Sequence, residues 1–216
     1  MMHFRDRQIN AAIEAGGRSA LEVKHFTGPI EIPNIVVVSG YRLADDYYYH
    51  PGHSWARLEQ GGRMKIGIDD FMVKVFGQAG SLRLPDRGTV LGQGERGLLF
   101  ARNGHKAEVL SPLTGKVFAI NQRVIDHPEI VHEDPYEEGW LFILEPSIPK
   151  MGLDRLHSGT EGVRWLEEEN RKLLELLGPQ YERLAATGGE PILDLFGHFP
   201  EIGWDRLVQT FLCTDS

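Results

Sequence analysis

The stretch LLFARNGHKAEVLSPLTGKV, residues 98–117, has two apolar, strand-like runs on either side of Asn103 and Gly104. Asn-Gly is the strongest short signal for a two-residue β-hairpin, because both central positions of a type I′ turn require a positive φ. The sequence therefore predicts a hairpin with Asn103 and Gly104 at its tip.

Lys106 follows this predicted turn by two residues. Side chains alternate between the two faces of a strand, so Lys106 and Glu108 are expected on one face and the residues after each of them on the other. We interpret Lys106 as a solvent-exposed lysine of the returning strand. His105, beside it, has no partner in the local sequence and is expected at the surface.

Short strand-like runs separated by turn residues continue on both sides of this hairpin, over residues 53–147. One hairpin is predicted to bend at Gly61 and Gly62. The segment DDFMVKVFG, residues 69–77, has a helical period, and Gly77 is a typical helix stop. Many short, evenly spaced strands are typical of a small barrel or sandwich.

Helical periodicity replaces this pattern towards the C-terminus. Residues 160–178 and 203–212 carry apolar residues at helical spacing and are predicted to pack on the protein's own core. The alternative is that these helices form a docking surface for a partner, because each carries a tryptophan, Trp165 and Trp204, and aromatic anchors favour interfaces. The segments ATGG and FGHFPEIG between them are predicted connectors.

The N-terminal part is mixed in character. Residues 6–16 predict a short helix, residues 28–40 an extended segment, and residues 45–53 a turn-rich junction. We therefore predict three parts: an N-terminal extension over 1–50, a mainly β domain over 51–148, and a helical C-terminal extension over 149–216.

The overall composition excludes several classes of protein. The net charge of −8, from 23 basic and 31 acidic residues, argues against nucleic-acid binding. No apolar run approaches the roughly 18 residues of a membrane span. The charged start MMHFRDRQIN does not resemble a signal peptide, so a cytoplasmic location is expected. Cys213 is the single cysteine, which excludes an internal disulfide and a four-thiolate metal site.

Four segments of the predicted β domain resemble one known family, the H protein of the glycine cleavage system. They are HSWARLEQGGRMKIGIDDF (53–71), LPDRGTVLGQGE (84–95), SPLTGKVFAINQ (111–122) and HPEIVHEDPYEEGWLFILEPS (127–147). The resemblance implies an α+β, mainly β fold, the lipoyl-type flattened barrel-sandwich hybrid of two small antiparallel sheets. It also implies a carrier that works with protein partners and has no catalytic activity of its own.

The resemblance also locates the residue that carries the family's chemistry. Family members bear lipoate on a lysine at a hairpin tip, eight residues before the proline of Ser-Pro. Counting back eight residues from Pro112 leads to Gly104. We therefore expect an H-protein-like module without a cofactor, acting as an interaction or scaffold protein for enzymes of a glycine-cleavage-like or other lipoate-dependent system. The alternative is a carrier lipoylated at Lys106, which shuttles an aminomethyl or acyl group.

Other sequence patterns are weaker indications of a metal, nucleotide or catalytic site. A third hypothesis is a metal-binding or small-ligand module, with candidate ligands at His50, His53, His127, His132 and Asp134. Their spacing does not favour a metal site. His53 is better explained by packing or hydrogen bonding in the family-like opening, and Asp69 and Asp70 by helix capping. GQGERG precedes a strand and so fails as a dinucleotide motif. No nucleophile, base and orienting group come together, so no enzyme is predicted.

Overall fold

The computed structural model describes residues 33–148, 151–178 and 192–213. All of these residues belong to one compact unit. The predicted helix over 6–16, the beginning of the extended segment over 28–40, and the connector ATGG lie outside the described residues. No described helix has the length and apolar character that crossing a membrane requires.

Twelve short strands in the described residues form three antiparallel sheets. β1 and β2 pair alone, β6, β8 and β9 form a three-stranded sheet, and the seven-stranded sheet has the order β12-β3-β4-β5-β11-β10-β7. This arrangement confirms the α+β, mainly β prediction. The strands are β1 Ile35–Val38, β2 Tyr41–Ala44, β3 Tyr48–Tyr49, β4 Ser54–Leu58, β5 Met64–Ile68, β6 Ser81–Arg83, β7 Val90–Leu91, β8 Arg96–Arg102, β9 His105–Leu110, β10 Gly115–Ile120, β11 Phe142–Pro146 and β12 His157–Ser158.

Six α-helices accompany these strands in the described ranges. They are α1 Asp70–Phe76, α2 Gln122–Asp126, α3 Glu129–Glu133, α4 Gly159–Leu177, α5 Leu195–His198 and α6 Trp204–Phe211. Helix α1 begins where the Asp69 carboxylate accepts the Met72 N–H at 2.8 Å, and it ends at Gly77 with φ 74°. Both ends of α1 agree with the sequence prediction, because a short acceptor side chain caps the first turn and glycine tolerates a positive φ.

The junction over 45–53 contributes more to the core than its turn signals predict. Tyr48 and Tyr49 form β3, which pairs with β4 on one side and β12 on the other. Tyr47 and Tyr49 are fully buried. The Tyr49 hydroxyl donates to the Ala44 carbonyl at 2.9 Å, so the polar end of this buried ring is satisfied. The turns bring these rings inward.

The C-terminal helices pack on the protein's own core, as predicted. Leu166, Leu173 and Leu177 are buried along α4, and Leu207, Val208 and Phe211 along α6. The connector prediction for FGHFPEIG was wrong, because this segment contains α5 and a 3₁₀ turn at Pro200–Ile202. Phe196, Phe199 and Ile202 recur every third residue and are buried, but the glycines and the proline of this short segment are turn signals in the sequence.

Candidate functional site

The β8–β9 hairpin has the geometry that Asn103 and Gly104 predict. Arg102 pairs with His105, which leaves only two residues in the turn. Asn103 has φ 48° and Gly104 has φ 84°, as a type I′ turn requires. A side chain at Gly104 would meet open space, since no atom lies within 4 Å of the position of its Cβ. The tip is therefore Gly104, and it bears no amine.

Lys106 lies on the returning strand, opposite Ala101. It is exposed, whereas Ala107 and Val109 are buried, so the predicted alternation is confirmed. Arg102 and His105 close the two-residue turn, so the next pair, Ala101 and Lys106, is a non-hydrogen-bonded pair. The backbone N–H and C=O groups of such a pair point away from the partner strand. The carbonyl of Lys106 thus faces outward at the free edge of β9.

Three C-terminal residues, Asp194, Phe196 and Trp204, contact this hairpin, and we call them the hairpin cover. The indole Nε1 of Trp204 donates to the Lys106 carbonyl at 2.7 Å. The His105 ring stacks on Trp204, with centroids 5.2 Å apart and planes at 26°, and meets Phe196 edge-on at 5.2 Å. The hairpin cover thereby provides a hydrogen-bond donor for the Lys106 carbonyl of the edge strand β9. It also packs against the His105 side chain beside the turn.

An ion pair fixes the other side of the turn. The Arg102 guanidinium donates to both carboxylate oxygens of Asp194, at 2.6 Å for Oδ2, and to the Phe76 carbonyl at 2.7 Å. Asp194 also caps α5 by accepting the Gly197 N–H at 2.9 Å. Burial alone would raise the pKa of Asp194, but the hydrogen bonds from Arg102 and Gly197 outweigh it and hold the pKa below its ordinary value.

Gly77 has a second role at this ion pair. A Cβ at Gly77 would lie 2.0 Å from Arg102 Nη1 and 2.4 Å from Asp194 Oδ1. The glycine that ends α1 therefore also leaves the space in which Arg102 and Asp194 meet. Sequence reasoning found only its role as a helix stop.

A second contact of a C-terminal helix lies at His53, which is completely buried. His53 Nδ1 is 2.8 Å from Asp69 Oδ2, and Nε2 is 3.7 Å from Glu169 Oε2 on α4. The ring lies between Phe71, at 4.5 Å, and Trp165, at 5.0 Å. The predicted packing and hydrogen-bonding role of His53 is confirmed, while the contribution of Glu169 was missed.

Two carboxylates decide the protonation state of His53. Burial would lower the pKa of His53, but Asp69 and Glu169 outweigh burial and raise it to about 9. Lys172 lies 2.7 Å from the other oxygen of Glu169. Burial would likewise raise the pKa of Glu169, yet His53 and Lys172 lower it. At neutral pH the group is therefore a buried imidazolium between two carboxylates, which suits a structural contact.

The remaining candidate histidines do not join this group. His50 Nδ1 accepts the Gly52 N–H at 2.9 Å, and burial, followed by nearby histidines, lowers the His50 pKa to about 4. His127 is exposed beside Glu129, and His132 lies on α3. Within the described ranges, no three His, Cys, Asp or Glu side chains are arranged to hold a metal ion.

Antiparallel sheets accompanied by short helices, with a tight hairpin ahead of Ser-Pro, are the arrangement of a lipoyl-type carrier domain, a class of protein that is not itself catalytic. The family model described as "Glycine cleavage H-protein" matches residues 47–169, more than half of the chain. The chain belongs to the glycine cleavage H-protein family.

Individual relatives agree with this assignment. The glycine cleavage system H protein of Anaeromyxobacter sp. (strain K) is 35% identical over 127 residues, which cover 59% of this chain and 98% of that protein. The H protein of Marinobacter nauticus is 35% identical over 100 residues, 46% of this chain and 77% of that protein. The crystal structure of the Mycobacterium marinum H protein matches with a TM-score of 0.51 at 21% identity, covering 58% of this chain and 99% of the other, and supports the fold.

Proposed function

We propose that this H-protein-like module is not lipoylated and acts as a non-catalytic interaction or scaffold protein. The observation that carries the proposal is Gly104, which occupies the tip of the hairpin where the family resemblance expects the lysine. Glycine has no amine to form an amide with lipoate. The rest of the hairpin keeps its form, so the scaffold persists without its point of attachment.

The hairpin cover supports the same conclusion. A ligase must enclose the turn that carries its target lysine, and a lipoyl arm must swing freely. Here the residues on both sides of the turn are engaged, Arg102 by Asp194 and His105 by Trp204. A partner could enclose this hairpin only after the cover had moved.

Lys106 provides the second candidate function, a lipoyl carrier modified two residues past the turn. Its side chain is exposed, and this is the observation that favours the candidate. Its backbone carbonyl, however, is bound by Trp204, so bringing Lys106 to the tip would break that bond and the Asn103-Gly104 turn. The first function is therefore preferred, with no cofactor and with lipoate as the alternative.

Intact-mass measurement after co-expression with a lipoate ligase tests the proposal. The expected result is an unshifted mass, under conditions that fully modify a control carrier. Gly104→Lys is the matched variant, since its side chain enters open space and the positive φ costs only about 1 kcal/mol. A shift in this variant would assign the loss of lipoylation to the missing amine, whereas no shift would assign it to the hairpin cover.

A shifted mass of the unaltered protein that disappears in Lys106→Arg would instead establish the carrier function. Protein partners from a glycine-cleavage-like or other lipoate-dependent system, and a cytoplasmic location, remain parts of the proposal. So does the division into residues 1–50, 51–148 and 149–216. Strand β3 pairs with β4 of the central domain and with β12 of the C-terminal part, which supports a close association of these described segments.

A further inference from the structure

A groove of about 320 Å³ lies on the outer face of the seven-stranded sheet, away from the residues of the hairpin and its cover. Its lining comes from three separate segments: the turn before β7, strand β10 and strand β11. The lining residues are Arg87, Gly88, Lys116, Val117, Phe118 and Glu145. Neither the carrier chemistry of the family nor the proposed scaffold function uses this groove.

A β-bulge places an aromatic ring in the groove. Val117 pairs with Leu144 and Ala119 with Ile143, so Phe118 is the extra residue of β10. A bulge redirects the side chain of its extra residue and frequently lies next to a binding site. Phe118 is accordingly only half-buried on the sheet surface.

Two guanidinium groups lie over this ring. The central carbon of Arg63 is 3.4 Å from the centroid of Phe118, and that of Arg87 is 5.7 Å away. Stacking on an aromatic face restrains a guanidinium plane while its N–H donors point outward along the edge. Such restrained donors suit the two oxygens of a carboxylate or phosphate group.

The charge of the groove is opposite to that of the whole chain. Lys116 is exposed beside the ring, and Glu145 is the single carboxylate of the lining, 3.9 Å from Arg63. Neither Arg87 nor Lys116 has a carboxylate within 4.0 Å in the described part of the chain. The lining thus holds two cations, Arg87 and Lys116, against one carboxylate, and Arg63 adds a third cation from over the Phe118 ring. The site is positive in a chain of net charge −8.

We propose that this groove binds a small ligand that carries two or more oxyanion groups, phosphate or carboxylate. A pocket of about 300 Å³ or more accommodates a small metabolite. Arg87 would bind one oxyanion group through the edge of its guanidinium, with Arg63 adding positive charge from beside the groove, and Lys116 would neutralise a second. Glu145 would exclude ligands without sufficient negative charge.

Titration of the full chain with pyrophosphate and, separately, with citrate tests this site. Amide chemical shifts of Gly88 and Phe118 and calorimetric heats report binding at constant ionic strength. Arg87→Gln and Lys116→Gln should each lower the affinity about tenfold, because each loses one charge-assisted contact. Arg164→Gln, an exposed arginine of α4, removes the same charge elsewhere and should leave the affinity unchanged.

Saturable binding of either probe, weakened about tenfold in each groove variant and unchanged in the control, would support the site and indicate which oxyanion it prefers. The proposal fails if neither probe binds with a Kd below about 1 mM. It also fails if Arg164→Gln weakens binding as much as Arg87→Gln does, since the effect would then be nonspecific. Binding of a polyglutamate peptide alone would replace the small ligand with an acidic protein segment and overturn the proposal.

Discussion

C-terminal residues contact the mainly β domain in two places that differ in character. At His53 the closest contacts come from Trp165 and Glu169 of α4, inside the family match over residues 47–169, and Phe211 of α6 adds an edge-on ring at 6.2 Å. At the β8–β9 hairpin the contact comes from the hairpin cover, which lies beyond that match. The first contact is thus made mainly by the part of the chain that the family model matches, and the second wholly by residues outside it.

The two contacts also differ in their chemistry. His53 is fully buried and titratable, and its charge depends on pH near and above neutrality. The Arg102–Asp194 pair is partly exposed, and the lowered pKa of Asp194 keeps this carboxylate ionised at and above neutrality. The hairpin contact instead relies on aromatic stacking and a hydrogen bond to an edge strand. The segment beyond the family match thus contacts the hairpin at which the resemblance expects the lipoyl-lysine, and we expect the two contacts to break independently.

The largest expected effect is that of Trp204→Ala. Trp204 is 4% exposed and contacts rings of four elements, α1, β8, β9 and α5, as well as the Lys106 carbonyl. Its truncation leaves a cavity and an unpaired acceptor, so we expect a loss of about 3–5 kcal/mol in the free energy of unfolding. Urea denaturation measures the loss, and hydrogen exchange should show faster exchange in β9.

Trp165→Ala is the matched control for Trp204→Ala. It should destabilise the protein through the His53 contact while exchange in β9 stays slow. Equal acceleration of exchange in β9 by both variants would mean that the two contacts are not independent.

The second prediction concerns alkaline pH. The pKa of His53 is raised to about 9, above the value of about 6.5 expected in the unfolded chain. Its stabilising contribution is therefore fully present below pH 6.5 and is lost as the pH rises through 9. We expect on the order of 2 kcal/mol to be lost between pH 7 and 10, measured from urea midpoints.

Glu169→Gln should shift this loss to lower pH, because it removes one of the two carboxylates that raise the His53 pKa. An NMR titration of the His53 ring would give the pKa directly. A ring that titrates at or below 6.5 would contradict the buried imidazolium. The hairpin contact should be unaffected by pH over the same range.

The smallest effect is expected for Asp194→Asn. Asparagine retains the cap of α5 and tolerates the positive φ of 64°, so the substitution removes little more than the charge paired with Arg102. Partial exposure screens the pair, and we expect a loss of about 1 kcal/mol. Asp194→Ala, which also removes the cap, should cost more. Equal losses would show that the cap contributes nothing, and no loss in Asp194→Asn would show that the ion pair contributes nothing.

Local sequence predicted most of the elements around the candidate site. The Asn103-Gly104 turn, the exposure of Lys106, and the limits of α1 each follow from a few neighbouring residues. The errors arose where local signals conflict with burial. Tyr47 and Tyr49 lie in a turn-rich segment but enter the core, and the FGHFPEIG segment folds into short helices whose rings face inward. His105 lies at the surface as expected, but it stacks on Trp204, a partner that the local sequence does not reveal.

The sequence by itself determined the family and the residue at the hairpin tip, because a type I′ turn and the spacing to Ser-Pro depend only on neighbouring positions. Tertiary structure alone decided what lies against that hairpin. Trp204 and Lys106 are 98 positions apart, and Asp194 and Arg102 are 92 apart. No local periodicity encodes such pairs, since packing of the C-terminal helices brings them together. Gly77 has a role of each kind. Its positive φ ends α1, which the local sequence predicts, and its missing side chain leaves space for the Arg102–Asp194 ion pair, which only the fold reveals.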